Sequence, residues 1–600
     1  MDRNTVTGLI LIFVIMLAWF YFMAPSEEEL KRRQAEQVKQ DSIAAAQADT
    51  NQPDEQAATP SPTQQQQQKQ QKVEEQSDKP QVPELFAKVQ AKDTSRVTIE
   101  TPLYQSEFTN LGAGPSQFTL KKYSRWDDTP VQMLNDTTQS AYSLGFITTG
   151  NMNVETSDLL FHQQTSTDRI QLGENEQKQL TYKFTLENGQ TLTYTYTFYG
   201  NSYRIDLSID LDRLTEQIAG NNVDFRWNPA LRHTEKNKSQ ENQSMSSYVF
   251  MGGEMIRFKQ EEAGRQQKNY NGSVRWVSSR NKFFTQIIKP TTSTDGARLT
   301  GEVSGNPEKA TTEHRYSTTI RSDIPDDRVI GYQLYVGPLH YQDLKTFDSH
   351  AYDMVNVGFS WIRWFSDPLV RYIIIPFFSF LSNYVGNYGL IIILFAVAIK
   401  GVLYPLTKKS FKSMAAMREL QPELKEIQEK YEDNPQKQQK ETMKLYKKAD
   451  VNPLGGCLPT LLQFPVLITL YRFFQNSILI RQKSFLWVND LSAPDMLINL
   501  PFSIPFLGDH LGGFVILMSA SMAVQTQMTS GATGGGGAGG PSMKSFQYIL
   551  PFILLFVFNN FAAGLSLYYL FFNALSIIQQ FWINKQLDQE KVHEKVATNN

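Results

Sequence analysis

The chain has 600 residues, 41% of them hydrophobic, with 58 Lys and Arg against 60 Asp and Glu and a formal charge of −2. So even a balance offers no whole-chain electrostatic case for nucleic acid, and specific DNA binding is not expected. The single cysteine, Cys457, excludes an intramolecular disulfide framework; beside an apolar run it reads as a packing residue, not a nucleophile. Mean hydropathy is negative, yet the last third of the chain carries several long apolar runs, so a polar soluble part must be masking a membrane part.

Arg3 precedes an apolar stretch, Val6–Met23, that is long for a signal h-region and lacks a small-x-small cleavage pattern at Ala24-Pro25. Residues 1–25 are therefore expected to form an uncleaved signal-anchor helix. Residues 26–94, rich in Gln, Glu, Ala and Pro and including Gln64–Gln68, lack the apolar residues that offset chain ordering. They are expected to be a disordered tether.

From Arg96 the period changes to two. Leu192, Tyr194, Tyr196 and Phe198 alternate with threonines; Tyr203, Ile205, Leu207, Ile209 and Leu211 alternate with polar residues. Asn188-Gly189 between two such runs is a hairpin signal. A β-sandwich over 95–345 is expected, one face of each sheet inward and the other wet. No metal-ligand spacing occurs here, and His162, His233 and His314 read as surface residues.

Trp361, Trp364 and Phe365 mix with Arg363 and Arg371, which suits an amphipathic helix over 350–380, lying in the headgroup layer or packed as an ordinary amphipathic helix. Five membrane runs follow: Tyr388–Leu406, Cys457–Phe474, Leu511–Val524, Phe546–Gly564 and Leu565–Phe581. They make six spans with the first helix. Several are short and carry polar residues (Gln463, Arg472, Gln525, Asn559, Asn560, Asn573), a pattern that implies local bilayer thinning or shielding by neighbouring protein. The loop Thr407–Pro453 holds eleven Lys and Arg, and loops so charged stay cytoplasmic. Parity then puts both termini in the cytoplasm and the β-domain outside. The loop Gly531–Gly540 has no strand before it and reads as a flexible connector, not a phosphate cradle.

Lys400 interrupts the first of these five runs about 18 Å from its start, in an apolar slab about 30 Å thick. A cation there costs about 2.5–3.5 kcal/mol on insertion scales. Either it snorkels to the headgroups or it faces a wet cavity inside the protein.

Within the basic loop, Met414, Met417, Leu420, Leu424, Ile427 and Tyr431 recur at spacings of three and four, a seam for a partner helix. Glu432-Asp433-Asn434-Pro435 breaks it, and a second helix over 436–449 offers Met443 and Tyr446 in return. Loop 407–453 is thus expected to be a cytoplasmic helical hairpin, longer than joining two spans requires. A solvated connector is the plainer reading.

The stretch VNPLGGCLPTLLQFPVLITLY (451–471), with YPLTKKSFKSMAAMRELQPELK before it and FAAGLSLYYLFFNALSIIQQ after it, resembles the YidC/Oxa/Alb family of membrane protein insertases. The anchor helix and external β-domain resemble its Gram-negative branch. The resemblance implies a polytopic α-helical membrane protein with six transmembrane helices, a five-helix insertase core over 386–585 and a periplasmic all-β, β-supersandwich domain. It implies a hydrophilic groove closed to the periplasm and open to cytoplasm and lipid. Lys400 stands where the family usually has arginine, so charge is kept and the bidentate fork lost; Ala396 stands where some relatives carry a hydroxyl. Substrate-contacting faces carried over from the family are Leu458, Pro459, Phe464 and Pro465 on the third helix and Leu554, Val557 and Phe558 on the fifth; Tyr569 matches a core tyrosine. Gln463 and Gln525 are the further polar groove candidates, or else helix-packing amides.

The expected function is insertion and folding of nascent proteins into the inner membrane, alone or with the Sec secretion translocon. Partners would be nascent membrane proteins, the ribosome (touched by the hairpin and, through Lys585, Lys591 and Lys595, at the start of and within the cytoplasmic tail 586–600) and membrane lipids. No cofactor, metal or catalytic residue is expected, since burial in lipid drives the process and no Walker-type motif is present. Two other classes are a secondary transporter using Lys400, and a membrane-anchored periplasmic carbohydrate-binding protein or enzyme. The first lacks inverted repeats and glycine-broken helix pairs; the second leaves hairpin and groove cation unexplained.

Overall fold

The threonine-alternating run forms the strand Thr191–Tyr199, with Leu192, Tyr194, Tyr196 and Phe198 turned inward. It pairs antiparallel with Gln177–Thr185 across a loop in which Gly189 takes φ +83°; the Leu186 amide donates to the Gln190 carbonyl and Gly189 supplies the left-handed turn residue. The structure, a computed structural model, describes residues 94–600 except 135–138, 229–230, 306–311, 356, 433, 450–457, 505–506, 531–550 and 599–600. The expected anchor helix, nearly all of the tether and the glycine-rich connector lie outside these residues.

Three sheets build the β-domain. A nine-stranded sheet has Phe284–Pro290, Val329–Pro338, Arg204–Asp210, Thr191–Tyr199 and Gln177–Thr185 as consecutive neighbours. A six-stranded sheet runs from Gly264–Asn271 to Asn153–Glu155, and a five-stranded one from Pro130–Leu134 to Arg169–Gln171. Both smaller sheets cover the same face of the large one. Phe225 of the six-stranded sheet stacks on Tyr332 at 4.2 Å, and Phe108 of the five-stranded sheet meets Tyr196 edge-on at 4.9 Å. Tyr196 and Tyr332 both stand opposite Leu207 in the register, hence on one face.

His314 is not a surface residue. It is buried on the inward face of the strand Glu313–Asp323, in step with Tyr316 and Thr318, and the period-two rule applied there would have placed it inside. His233 is half-buried with its ring nitrogen 2.6 Å from Asn242; His162 is exposed.

The amphipathic segment starts later than its aromatic pattern suggests. Residues Ala351–Met354 and Ser360–Ile362 are single turns, so Trp361 precedes the helix α1, Arg363–Ser382. Pro368 and Pro376 both lie in α1, and a wider turn, Val370–Ile374, accommodates the chain between them. At 20 residues α1 is long and apolar enough to cross a membrane, as is the next helix, α2 (Tyr388–Glu419). These are the two that meet that criterion among the described residues.

Helix α2 continues through Pro405 far beyond the apolar run, so the hairpin's first arm begins as its extension. The chain kinks at Leu420, where Pro422 opens α3 (Gln421–Lys430), and returns as α4 (Pro435–Lys448), whose start is capped by the Asn434 side chain. Met417, Leu424 and Tyr446 form a small separate core, flanked by Met414, Leu420 and Met443.

After α4 come α5 (Leu458–Asn476), α6 (Gly513–Ser530), a helical stretch α7 at 551–558, and α8 (Ala563–Thr598). The last two divide at 559–562, not at Gly564. Asn559 is a turn residue rather than a polar residue inside a span: its side chain accepts from the Gly512 amide (2.9 Å) and donates to the Leu507 and His510 carbonyls (2.9 and 2.6 Å). An amide with three backbone partners is satisfied only where the helix opens. Nor does α8 stop at Phe581; its helical backbone continues to Thr598.

The loop after α5 locks onto the β-domain. Arg481 is 1% exposed at its side chain and pairs with Glu235 (12%) at 2.8 Å, its guanidinium lying 5.2 Å from the Phe284 ring centre. The Gln482 amide donates to the Ser124 and Arg125 carbonyls at 2.9 and 2.8 Å. Beside this pair Glu241 is fully buried and accepts from the Thr234 and Glu235 amides. Burial, reinforced by the charge of Glu235, pushes the Glu241 carboxyl up to about 7.

Candidate functional site in the helical core

Helix α8 packs on both α2 and α6, and what it packs changes along its length. Near the β-domain the contact is aromatic. Phe378 of α1 lies 5.7 Å from Phe395, 5.4 Å from Phe473 and 6.4 Å from Phe474, and Phe395 lies 6.1 Å from Tyr568. All five rings are buried. Close ring packing of this kind leaves no space for water.

Further along the same helices the contact is polar. Lys400 of α2 is 8% exposed and its ammonium donates to the Ser576 hydroxyl at 2.6 Å. Ser576 donates in turn to the Phe572 carbonyl (2.8 Å), and the Phe572 ring centre is 4.5 Å from the ammonium. Two turns on, the Gln579 amide donates to Thr407 of α2 at 2.7 Å. Toward α6, Asn573 donates to Ser521 at 3.3 Å, and Gln580 to the Met528 carbonyl at 3.2 Å, which also accepts from Arg418 at the end of α2. Small hydroxyls and amides are what holds helices together where apolar burial gives no preference.

Lys400 is therefore not open to bulk water: it is enclosed between two helices. An ammonium has three donors, and among the described residues Ser576 is its one polar partner. A cation with unused donors in a helix interior is primed for an anion.

The other expected site residues are distributed as follows. Gln463 on α5 is half-buried, with a buried Nε2 that has no partner among the described residues. Phe464 and Pro465 beside it are half-buried, and the side chains of Leu458 and Pro459 lie outside the described residues. Gln525 on α6 is half-buried. Phe558 is buried with Phe561 at 5.2 Å and Tyr569 at 5.8 Å, while Val557 is 45% exposed and Leu554 half-buried. Ser576, Gln579, Gln580 and Thr407 were missed by sequence reasoning. Their signal was present: Asn573, Ser576 and Gln580 are spaced three and four apart, a polar stripe on an otherwise apolar helix. Among the described residues no cluster of His, Cys, Asp and Glu could hold a metal ion.

Two family descriptions match the chain: "60Kd inner membrane protein" over residues 380–591 and "YidC periplasmic domain" over residues 96–372. Among curated relatives, the "Membrane protein insertase YidC" of Prosthecochloris aestuarii is 35% identical over 593 residues, covering 98% of this chain and 95% of the relative. That of Chloroherpeton thalassium is 35% identical over 599 residues, covering 99% and 97%. A solved structure described as an active YidC insertase with its first transmembrane domain resolved is 20% identical, covers 82% of this chain and 92% of that one, and superposes with a TM-score of 0.32. The two family matches together cover the helical core and the β-domain, and with these relatives they define an inner-membrane protein insertase carrying a periplasmic domain. The chain belongs to the YidC family of membrane protein insertases; the transporter and carbohydrate-binding readings find no support there.

Proposed function

We propose that this protein inserts and folds nascent membrane proteins into the bacterial inner membrane, alone or with the Sec translocon, by admitting a client's polar tail to the Lys400 seam while its apolar segment leaves into lipid. The observation that carries this reading is the division of the helical interior: an aromatic plug next to the β-domain, and a cation among hydroxyls and amides at the other end. Each unsatisfied polar group of a tail crossing lipid costs several kcal/mol. Partners along part of the way shorten the dry path, and burial of the apolar segment supplies the driving force. Lys400 attracts acidic residues of the tail. Gln463, whose amide has a buried nitrogen with no partner among the described residues, offers a further donor, with Gln525 and Tyr569 lining the same interior. Phe464, Pro465, Leu554, Val557 and Phe558 form the face along which the client's helix slides, and the family resemblance assigns Leu458 and Pro459 to the same role.

In this reading the chain makes six spans, with both termini in the cytoplasm and the β-domain in the periplasm. The support is the basic loop 407–453. The hairpin α3–α4, with seven lysines on its two helices, receives the emerging chain or its ribosome.

The test is photocrosslinking from residues 464 and 557 to ribosome-stalled nascent chains of stepped length. Crosslinks that appear as the client's apolar segment emerges, and disappear on its release, support the reading. Crosslinking no greater than from lipid-facing Phe552, which is exposed, would refute the assignment of this face.

A further inference from the structure

The segment joining α5 to α6 lies outside the apolar runs, yet its outer surface is not one for water. Leu486 is 71% and Phe502 61% exposed, and Trp487, Met496, Leu497 and Ile498 are exposed with them. Between Lys483 and Asp509 the formal charges are those of Asp490 and Asp495, and both are turned inward. Asp490 accepts from the Gln482 and Ser492 amides at 3.0 and 2.8 Å. Asp495, 2% exposed, accepts from the Phe514 amide at the start of α6 (2.7 Å) and from the Trp487 indole (3.2 Å). A carboxylate at a helix N-terminus has its charge met by backbone donors, so the outer face is left apolar. Single exposed apolar side chains are ordinary; a contiguous set marks a contact surface.

Two glycines fix the height of this face. A Cβ on Gly389, the second residue of α2, would collide with the Phe485 ring. One on Gly513, the first residue of α6, would lie 2.8 Å from Leu497 and 2.9 Å from Trp487. The face is therefore level with the start of two apolar helices. Ile516 and Leu517, three and four residues beyond Gly513 and so on the same side of α6, are also exposed; the apolar surface runs on unbroken into the helix exterior. At its border the exposed Lys483 holds its ammonium 5.0 Å from the ring centre of Tyr388, the first residue of α2, a cation and an aromatic at headgroup level. The strand Ile498–Ile504 pairs with Gly508–Leu511 in a two-stranded sheet. Its open edges exclude that backbone from the hydrocarbon core, so the backbone stays at the headgroup boundary and side chains alone reach deeper.

We propose that the outer face of residues 486–502 is a lipid-contact surface, its side chains seated among the acyl chains of the periplasmic leaflet just below the headgroups. The neighbouring Gln482 amide is bonded to the Ser124 and Arg125 carbonyls, so this contact sets the height at which the β-domain stands over the bilayer. The inference rests on the periplasmic domain of the family and not on the Lys400 seam.

Spin labels on the full chain in phospholipid vesicles test this, with Phe502→Cys in a Cys457→Ser background. Relaxation is measured with oxygen, which concentrates among acyl chains, and with a water-soluble nickel chelate. Reference labels are Phe552→Cys, exposed on α7, and Gln266→Cys, exposed on the β-domain strand Gly264–Asn271. The oxygen-to-nickel ratio at 502 should lie well above that at 266 and toward that at 552. A ratio matching that at 266 places the face in water and overturns the proposal. Protection from both reagents does so too, because protein then covers the face. If Cys457→Ser does not fold, a benzophenone side chain at 502 in the otherwise natural chain gives a second reading. A photoadduct carrying the mass of a phospholipid is expected; adducts between two copies alone, or none, would overturn the proposal.

Discussion

Replacing Lys400 isolates the charge on which the proposed mechanism turns. The ammonium uses one donor on Ser576 and has two left, so a client carboxylate adds to the resting arrangement and need not displace it. At about 6 Å and an effective dielectric of about 20, that attraction is worth about 3 kcal/mol, or about a hundredfold in occupancy. Lys400→Met removes it at little structural risk, because a buried cation whose one polar partner is a hydroxyl is not a stabilising element to lose. Lys400→Arg keeps the charge; Lys400→Glu reverses it and sets a carboxylate against the face of Phe572, whose ring already favours a cation. The assay is protease protection of translocated tails in proteoliposomes, using two clients that differ only in whether the tail carries acidic residues. For the acidic client, Arg should match the parent, Met should fall by up to about a hundredfold, and Glu should fall further. The neutral client should be unaffected by Met. If Lys400→Met inserts both clients as the parent does, charge attraction is not how the tail is received.

Three further outcomes follow from the junction with the β-domain and from the turn at 559. Arg481→Leu strands Glu235 in a nearly closed site and should cost about 3–5 kcal/mol, read in denaturant titrations by the fluorescence of buried Trp227 and Trp276; the double variant with Glu235→Leu should recover most of it. Glu241 keeps its proton to about pH 7 when folded but loses it near its ordinary 4.5 when unfolded. The folded state therefore binds more protons between those values, and its stability should decline as pH rises from about 4.5 to 7, by on the order of 3 kcal/mol at most; a slope unchanged in Glu241→Gln would contradict this. Asn559→Ala removes three hydrogen bonds to the 507–512 segment and should lower stability in detergent by about 2–4 kcal/mol, with faster amide exchange at Gly512.

Where a residue's fate is set by its near neighbours along the chain, it was legible. The threonine alternation of 191–198 already names the buried face, because side chains on a strand alternate whatever it pairs with. The apolar run around Lys400 forces a helix and makes the lysine conspicuous. The Met-Leu-Tyr seam of 414–446 is legible for the same reason, although α2 absorbs its first turns. The division of the last two helices was not legible. Asn559 looks like a polar residue inside a span until its three carbonyl and amide partners, about fifty residues away, are known.

Local chemistry along the chain thus decides which stretches are strands, which are membrane-length helices, and that one cation is placed among apolar residues, since periodicity and transfer free energy depend only on sequence spacing. The partner of that cation is another matter. Lys400 meets Ser576, and Thr407 meets Gln579, across a sequence separation of more than 170 residues; Arg481 meets Glu235 across 246. Which polar groups converge depends on how helices rotate and stack against one another, and only the packed fold resolves that, because each rotation is chosen by the whole interior rather than by any one segment.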